Sequence, residues 1–486
     1  MALNLNLSEP DLIVELNDFE CEVRNSVEKR AEIQVQLWNQ LNELFDSYFA
    51  NFGENISIIS GIVKIWRTLV AQVPNNQNNA VAQKVHVKLE KAIIELLKLE
   101  NEQSPNEEEI KCLRFSIQAL SNMVTGNSET QKIVWSDLIS REEDFDLLGG
   151  VLKCKDTSAV TVVLVLIFNC IHGVGSRSSE EFVTSAVGIA LIRSMLQLAE
   201  STLDNEESKT FELVYGIVTR LIEQGHYSIL FERLAEASGT ISFDQSILLK
   251  ILDARLSSDE QAEELIDDST ISHMIKSFIK VAGFAVDVLK KTELTVSDYG
   301  VGEMSIAYSA IVLFLQTFSK LTHNPNIELA NKCTREGLLA AVISLLGEAE
   351  RVFPRIAKAT TTPPEFTTDN DTNKGAEGFA YIKRDIIRLI GNLSYENKFV
   401  QDETRDLGGL ALVLSNCNID DRNPYIREYA IFAVRSLLQN NPENQKLVEE
   451  MKPINAVQHP VLEEVGVRTE LENGKIKLNY TGPAPK

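Results

Sequence analysis

YAIFAVRSLLQNNPENQKLV (429–448) aligns without gaps on FSIQALSNMVTGNSETQKIV (115–134), with seven of twenty positions identical. Both copies have one anatomy. An apolar helix ends in a short polar joint, and N-x-E-x-Q-K opens the next helix. IIRLIGNLSYENKFVQ (386–401) repeats the plan between them. Outward from these copies the same alternation runs through the chain, with polar joints near 125–129, 172–180, 200–208, 238–242, 257–260, 292–302 and 322–326. Helices of about 10–18 residues between such joints are the rhythm of a solenoid, in which each unit buries its faces only against its neighbours. A length of 486 residues suits a stack better than one compact core. Sparse glycine and proline favour helices over a sheet fold.

Towards the N-terminus, Ser8 is placed to cap a helix with Pro10 in its first turn and Asp11 at the capping-box position. An amphipathic stretch runs to Phe45, and a second helix covers Ile56 to Val73. PNNQNN (74–79) reads as a polar break. At the other end, Asn423 is expected to cap a helix with Pro424 at its first position. Ile426, Ala430, Ala433 and Leu437 form one stripe of that helix. Tyr429, Ile431, Val434 and Leu438 widen it so far that cover on several sides is expected. Gly408-Gly409 allows a sharp turn between two helices. Residues 354–378 (PRIAKATTTPPEFTTDNDTNKGAEG) are poor in large apolar side chains and read as a flexible loop. Asn473-Gly474 between Arg468–Leu471 and Lys475–Tyr480 signals a hairpin.

Composition excludes several classes of function. The formal charge is −23, with no basic run to displace counterions from phosphates, so nucleic acid is not an expected partner. The longest apolar run, Ala159 to Ile171, is shorter than the 20 or so residues of a bilayer span and reads as a buried helix. No membrane insertion is expected. The N-terminus lacks a basic n-region, and a cytoplasmic location is expected. None of the six cysteines forms a C-x-x-C pair, and all read as small buried apolar residues. No His or Cys pair has metal-ligand spacing, and no phosphate-loop or nucleophile motif occurs. No cofactor, metal or catalytic residue is assigned.

The fold class expected is therefore all-α: an armadillo-like α-solenoid, wound as a right-handed superhelix, with a small C-terminal β-hairpin. The expected divisions are helical repeats over 1–353, the loop at 354–378, C-terminal repeats over 379–453, and a tail with the hairpin over 454–486. The segments IRLIGNLSYENK, LSNCNIDDRNPYIREYAIFAVR and NPENQKLV, with the ending VGVRTELENGKIKLNYTGPAPK, resemble the C-terminal domain of the ataxin-10 family. That resemblance implies an armadillo solenoid without catalytic activity. It also implies a cytoplasmic adaptor linked to cell division (cytokinesis) or to signalling assemblies, with self-association into a homo-oligomer.

Site candidates follow from the armadillo plan, where third helices line a groove and an Asn there can bind the backbone of an extended peptide through both amide groups. Asn122, Asn169 and Asn392 are the candidates, with Ser436 at the equivalent place in the last copy. Arg388 and Arg435 are expected to flank the groove and select acidic segments. The plain alternative is that each Asn bonds a neighbouring loop carbonyl. Thr362-Pro363 is a minimal proline-directed phosphorylation site in the flexible loop. Other proteins are thus the expected partners. The competing readings are a solenoid cargo carrier, which would need a Trp–Asn ladder, and a regulatory subunit of an enzyme.

Overall fold

A computed structural model describes residues 3, 7–102, 104–139, 147–172, 177–202, 209–236, 239–258, 266–291, 301–355, 379, 381–451, 466–472, 475–480 and 482. The chain forms two compact units, Met1–His273 and Met274–Lys486. In the first, α1 (Glu9–Arg24), α2 (Val27–Ala31) and α3 (Val35–Phe49) precede α4 (Ile56–Leu69). Three helix triplets follow: α5 (Pro74–Ala82), α6 (Val85–Glu102) and α7 (Glu107–Val124); α8 (Ser128–Ile139), α9 (Leu147–Lys153) and α10 (Thr157–Ile171); α11 (Arg177–Thr184), α12 (Ala186–Ser201) and α13 (Lys209–Glu223). Next come α14 (Tyr227–Arg233) and α15 (Phe243–Ser258), and the division between units falls inside α16 (Asp268–Lys290).

The second unit holds α17 (Val301–Leu321), the triplets α18 (Ile327–Arg335), α19 (Leu338–Val352), α20 (Lys383–Ser394) and α21 (Lys398–Asp406), α22 (Gly409–Ser415), α23 (Ile426–Leu438), and then α24 (Pro442–Glu450). A two-stranded antiparallel hairpin, β1 (Val467–Glu472) and β2 (Lys475–Tyr480), closes the described chain. Third helices pack on one another in order: α1, α4, α7, α10 and α13 in one unit, and α17, α20 and α23 in the other. This is the armadillo plan, all-α with a terminal hairpin. The 354–378 stretch lies between the second and third helices of one repeat, because α19 and α20 pack together across it.

The joint between a third helix and the next first helix has a fixed form. A residue with positive φ (Gln72, Gly126, Gly225, Glu396, Asn440) turns the chain, and the next residue starts the following helix. Asn127, Asn397 and Asn441 hold that starting position, and their Oδ1 atoms accept backbone N–H groups of the new helix. Three residues on, a polar side chain turns back to the carbonyl four before the cap: Asn76 to Leu69 O (2.9 Å), Thr130 to Met123 O (2.7 Å), Asn444 to Leu437 O (2.9 Å). Four residues on, Gln77 and Gln401 reach the next repeat. Gln77 Nε2 donates to Asn122 O and Thr125 O, and its Oε1 accepts from Asn127. Gln401 does the same with Ser436 O, Gln439 O and Asn441.

This clamp corrects the reading of PNNQNN as a break. Those residues open α5, with Pro74 at its first position and Asn76 and Gln77 buried, because their amides face helix ends rather than water. Asn423 is also not the cap of α23. That helix starts after Tyr425, whose φ is +66°, while Asn423 is buried, donates to Asp420 Oδ2 (3.0 Å) and accepts from the Arg384 N–H at the start of α20 (3.4 Å). The cover expected around α23 is incomplete: Ile426, Ala430, Ala433 and Leu437 are buried, but Ile431 is 52% exposed. Ser8 does precede α1, but its hydroxyl bonds Asp11 rather than a backbone N–H. Cys112, Cys170 and Cys333 are buried, whereas Cys21 is exposed.

Gly391 of G-N-L-S has a packing reason. A Cβ there would lie 3.0 Å from Phe432 Cδ1 and 3.2 Å from the Ala433 Cα, so the bare backbone lets α20 and α23 approach closely. Gly408, at φ +76°, precedes α22. Among the described residues one helix is long and apolar enough to cross a membrane, Gly302–Leu321, and it packs here on α20.

Replacing Gln401 by Leu keeps the volume but removes the side-chain donor from the Ser436 and Gln439 carbonyls, and from Ser394 O, which keeps only the Asn397 N–H. Urea denaturation of the full chain should show the transition of the second unit destabilised by about 2 kcal/mol. An unchanged transition would remove the clamp from the account of stability.

Candidate functional site

The candidate residues lie on third helices, Asn122 and Asn169 in the first unit and Arg388, Asn392 and Arg435 in the second. Asn122 lies on α7, and its Nδ2 donates to Arg67 O on α4 at 3.1 Å. Asn169 on α10 donates to Thr125 Oγ1, just past the end of α7, at 3.0 Å. Asn392 on α20 donates to Ser319 O on α17 at 3.2 Å. Asn122 and Asn392 thus hold a carbonyl in the last turn of the preceding third helix, and Asn169 holds the hydroxyl of the residue that follows it. Arg388 lies one turn before Asn392 on α20. Its guanidinium is 5.9 Å from the Tyr429 ring centre of α23, and its Nε is buried without a partner. Arg435 is exposed and precedes Ser436 by one residue, which turns it about 100° round α23, towards the side that holds Ile431. Thr362 lies outside the described residues.

The sequence reading missed a charged cluster in the first unit. Glu20 of α1 is fully buried and takes Arg24 of its own helix, Lys64 (3.5 Å), Arg67 (3.5 Å) and the Thr68 hydroxyl (2.8 Å) of α4. Arg67 goes on to α7, donating to Gln118 Oε1 (3.2 Å) and lying 4.5 Å over the Phe115 ring. Burial pushes the Glu20 carboxyl up, but hydrogen bonds from Arg24 and Thr68 and the charges of Lys64 and Arg24 outweigh it and hold it below its usual value of 4.5. Burial lowers the Arg67 pKa against the pull of Glu20. The sequence signal was present in E-x-x-x-R (Glu20, Arg24) and K-x-x-R (Lys64, Arg67) inside apolar helices.

Further along the same unit, Phe211 and Tyr215 of α13 line a depression with Ala199 and Glu200 of α12 and Ile247 and Lys250 of α15. Phe168 of α10 and Phe211 and Tyr215 of α13 are half-buried, and the last two rings stack at 6.2 Å. Trp38, Trp66 and Trp135 are fully buried in the core. Among the described residues no three side chains of His, Cys, Asp or Glu converge. In the second unit Lys383 is fully buried, bonded to Asp420 (3.1 Å), Glu350 (3.1 Å) and Phe353 O (2.9 Å). This cluster fixes the start of α20 beside the loop that leads to α23.

Residues 382–479 match the family described as the spinocerebellar ataxia type 10 protein domain. Ataxin-10 of Pongo abelii is 28% identical over 452 residues, which is 90% of this chain and 85% of that protein. Human ataxin-10 is 28% identical over 386 residues, 78% of this chain and 73% of its own. The ataxin-10 homolog of Candida albicans is 44% identical over 100 residues, 21% of this chain and 22% of that one. Among solved structures, the designed armadillo repeat protein YIII(Dq)4CqI is similar over 72% of this chain and 99% of its own, at 14% identity and a TM-score of 0.27. The ataxin-10 resemblance read from the C-terminal motifs thus extends along most of the chain.

The Glu20 cluster has a testable pH signature. A depressed folded pKa gives stability that is complete above the unfolded value and lost as pH falls through the folded one. Glu20→Gln should cost the first unit about 2 kcal/mol at pH 7, below the figure for a fully buried pair because Arg24, Lys64 and Arg67 keep water contact. The gap between variant and wild type should close as urea titrations move below pH 4.5. A gap that persists unchanged in acid would show that the charge of Glu20 is not what holds α1 to α4.

Proposed function

We propose that this chain, which carries the C-terminal domain of the ataxin-10 family, is a non-catalytic scaffold that binds other proteins along the faces of its third helices. The supporting observation is the ladder itself. Packing α4, α7, α10 and α13 side by side, and α17, α20 and α23 likewise, makes a continuous face in each unit, with Arg67 over Phe115 in the first and Arg388 over Tyr429 in the second. Such a face suits an extended or helical protein segment better than a small molecule, which needs an enclosing pocket. The Asn amides contribute by fixing the spacing between neighbouring helices, and Asn122, Asn169 and Asn392 keep their carbonyl oxygens as further polar groups. Likeness to ataxin-10 over most of the chain supports a cytoplasmic adaptor acting in cell division or signalling assemblies, with self-association as a second mode.

Cross-linking of complexes captured from dividing cells tests this reading. Lys64, Lys111 and Lys320 lie on third helices. Cross-links from partner proteins should concentrate on these lysines, and the partner set should be enriched in dividing cells. Cross-links confined to first and second helices would reject the third-helix face as the binding surface.

A further inference from the structure

The depression between α12, α13 and α15 has a volume of about 200 Å³, and its walls are almost all carbon, from Ala199, Phe211, Tyr215, Ile247 and Ile251. Pockets for drug-sized molecules hold about 300–1,000 Å³, so this one suits a single side chain. Phe211 and Tyr215, stacked at 6.2 Å, make its lining aromatic. Glu200 and Lys250 also line it and pair at 2.9 Å. Oε1 of Glu200 takes the ammonium, while its Oε2 is buried with no hydrogen-bond partner among the described residues. A buried acceptor of this kind is costly to leave unmade.

An equivalent corner in the repeat that opens with α5 shows what such a glutamate takes. Glu100 lies in the last turn of the second helix α6, as Glu200 lies in the last turn of the second helix α12. Oε1 of Glu100 accepts the backbone N–H of Lys155 at 3.0 Å. No backbone N–H among the described residues is given to Glu200. Charge narrows the donor further. Lys250 already balances Glu200, so a neutral N–H is less costly to bury beside the pair than another cation. Tryptophan is the side chain that joins a large apolar ring to a single N–H and carries no acceptor. The three tryptophans of this chain, Trp38, Trp66 and Trp135, are buried in the core, so the ring must come from another protein.

We propose that this depression is an anchor pocket for a tryptophan of a partner protein, with the ring against Phe211 and Tyr215 and the indole N–H donated to Glu200. Tryptophan is enriched among the few residues that carry most of the binding energy of an interface, and such anchors sit in desolvated pockets. The inference takes its occupant from the scaffold reading and adds one pocket and one side chain to it.

The test uses the purified full chain with indole and with benzofuran, the same bicycle with an oxygen in place of the N–H. Saturation-transfer NMR titrations should show indole bound with a dissociation constant of about 1 mM or below, and benzofuran about tenfold weaker. Glu200→Leu should leave benzofuran binding in place and close the gap between the two. Ala254→Phe, at an exposed position that lines the depression, should fill it and abolish binding of both. A capped pentapeptide with a central tryptophan should displace indole, and one with a central alanine should not. No binding of indole, or equal binding of benzofuran by the unmodified chain, overturns the proposal. So does a gap that survives Glu200→Leu, binding that survives Ala254→Phe, or a tryptophan peptide that does not compete. Failure here would leave the third-helix cross-links expected in cells untouched, and their absence would leave the indole result standing.

Discussion

The repeat boundaries after α4, α7, α20 and α23 depend on how the carbonyl groups at the end of a third helix are satisfied. The last carbonyls of a helix have no partner within it, and here they are buried between two repeats, where an unpaired carbonyl costs about 1–3 kcal/mol. Gln77 and Gln401 supply the missing donors from the preceding repeat, and Asn76 and Asn444 supply them from the following first helix. One side chain thus ties three elements: its own first helix, the end of the next third helix, and the cap of the next first helix. This couples each repeat to its neighbour by directional bonds as well as by apolar contact. Nearest-neighbour coupling of that sort is what makes a solenoid cooperative over a few units.

Most of the architecture was legible because apolar periodicity and the joints are local signals. The echo between 115–134 and 429–448 reflects a shared clamp, with Asn127 and Asn441 as caps and Gln131 and Gln445 bonding the Val124 and Leu438 carbonyls behind them. The hairpin was legible from Asn473-Gly474 and its alternating flanks. What was hidden has one physical cause. Polar residues that face inward to bond backbone look the same in sequence as polar residues that face water. PNNQNN was read as a break for that reason, and Asn423 was read as serving its own helix when it serves α20. Glu20 was half-hidden: E-x-x-x-R shows its pair with Arg24, but nothing local shows that Lys64 and Arg67 of α4 converge on it.

The candidate asparagines show the same limit from the functional side. Their placement on third helices followed from the repeat register. Their bonds to Arg67, Thr125 and Ser319 did not, because each partner is 44 or more residues away in the chain. With one amide N–H of each committed to a neighbouring helix, specificity on the face falls more to groups that point away from the ladder. Arg67 over Phe115 and Arg388 over Tyr429 are held by ring contacts that fix their direction, and Arg67 is further committed to Glu20 and Gln118.

The clamp also explains where the chain varies in length. It runs from a third helix into the next first helix, and four such joints have three residues each: 125–127, 224–226, 395–397 and 439–441. Only 172–176 and 322–326 are longer by two, and the joint before α5, 70–73, by one. Connections between second and third helices carry no clamp. They range from 154–156, through 103–106 and 416–425, to 353–382. Loop closure costs little per added residue once the ends are fixed by packing, and α19 and α20 remain packed across the longest of them. Long insertions are therefore tolerated at one corner of the repeat, while the other varies by no more than two residues among these joints, so the Thr-rich stretch interrupts the sequence of a repeat without interrupting the stack.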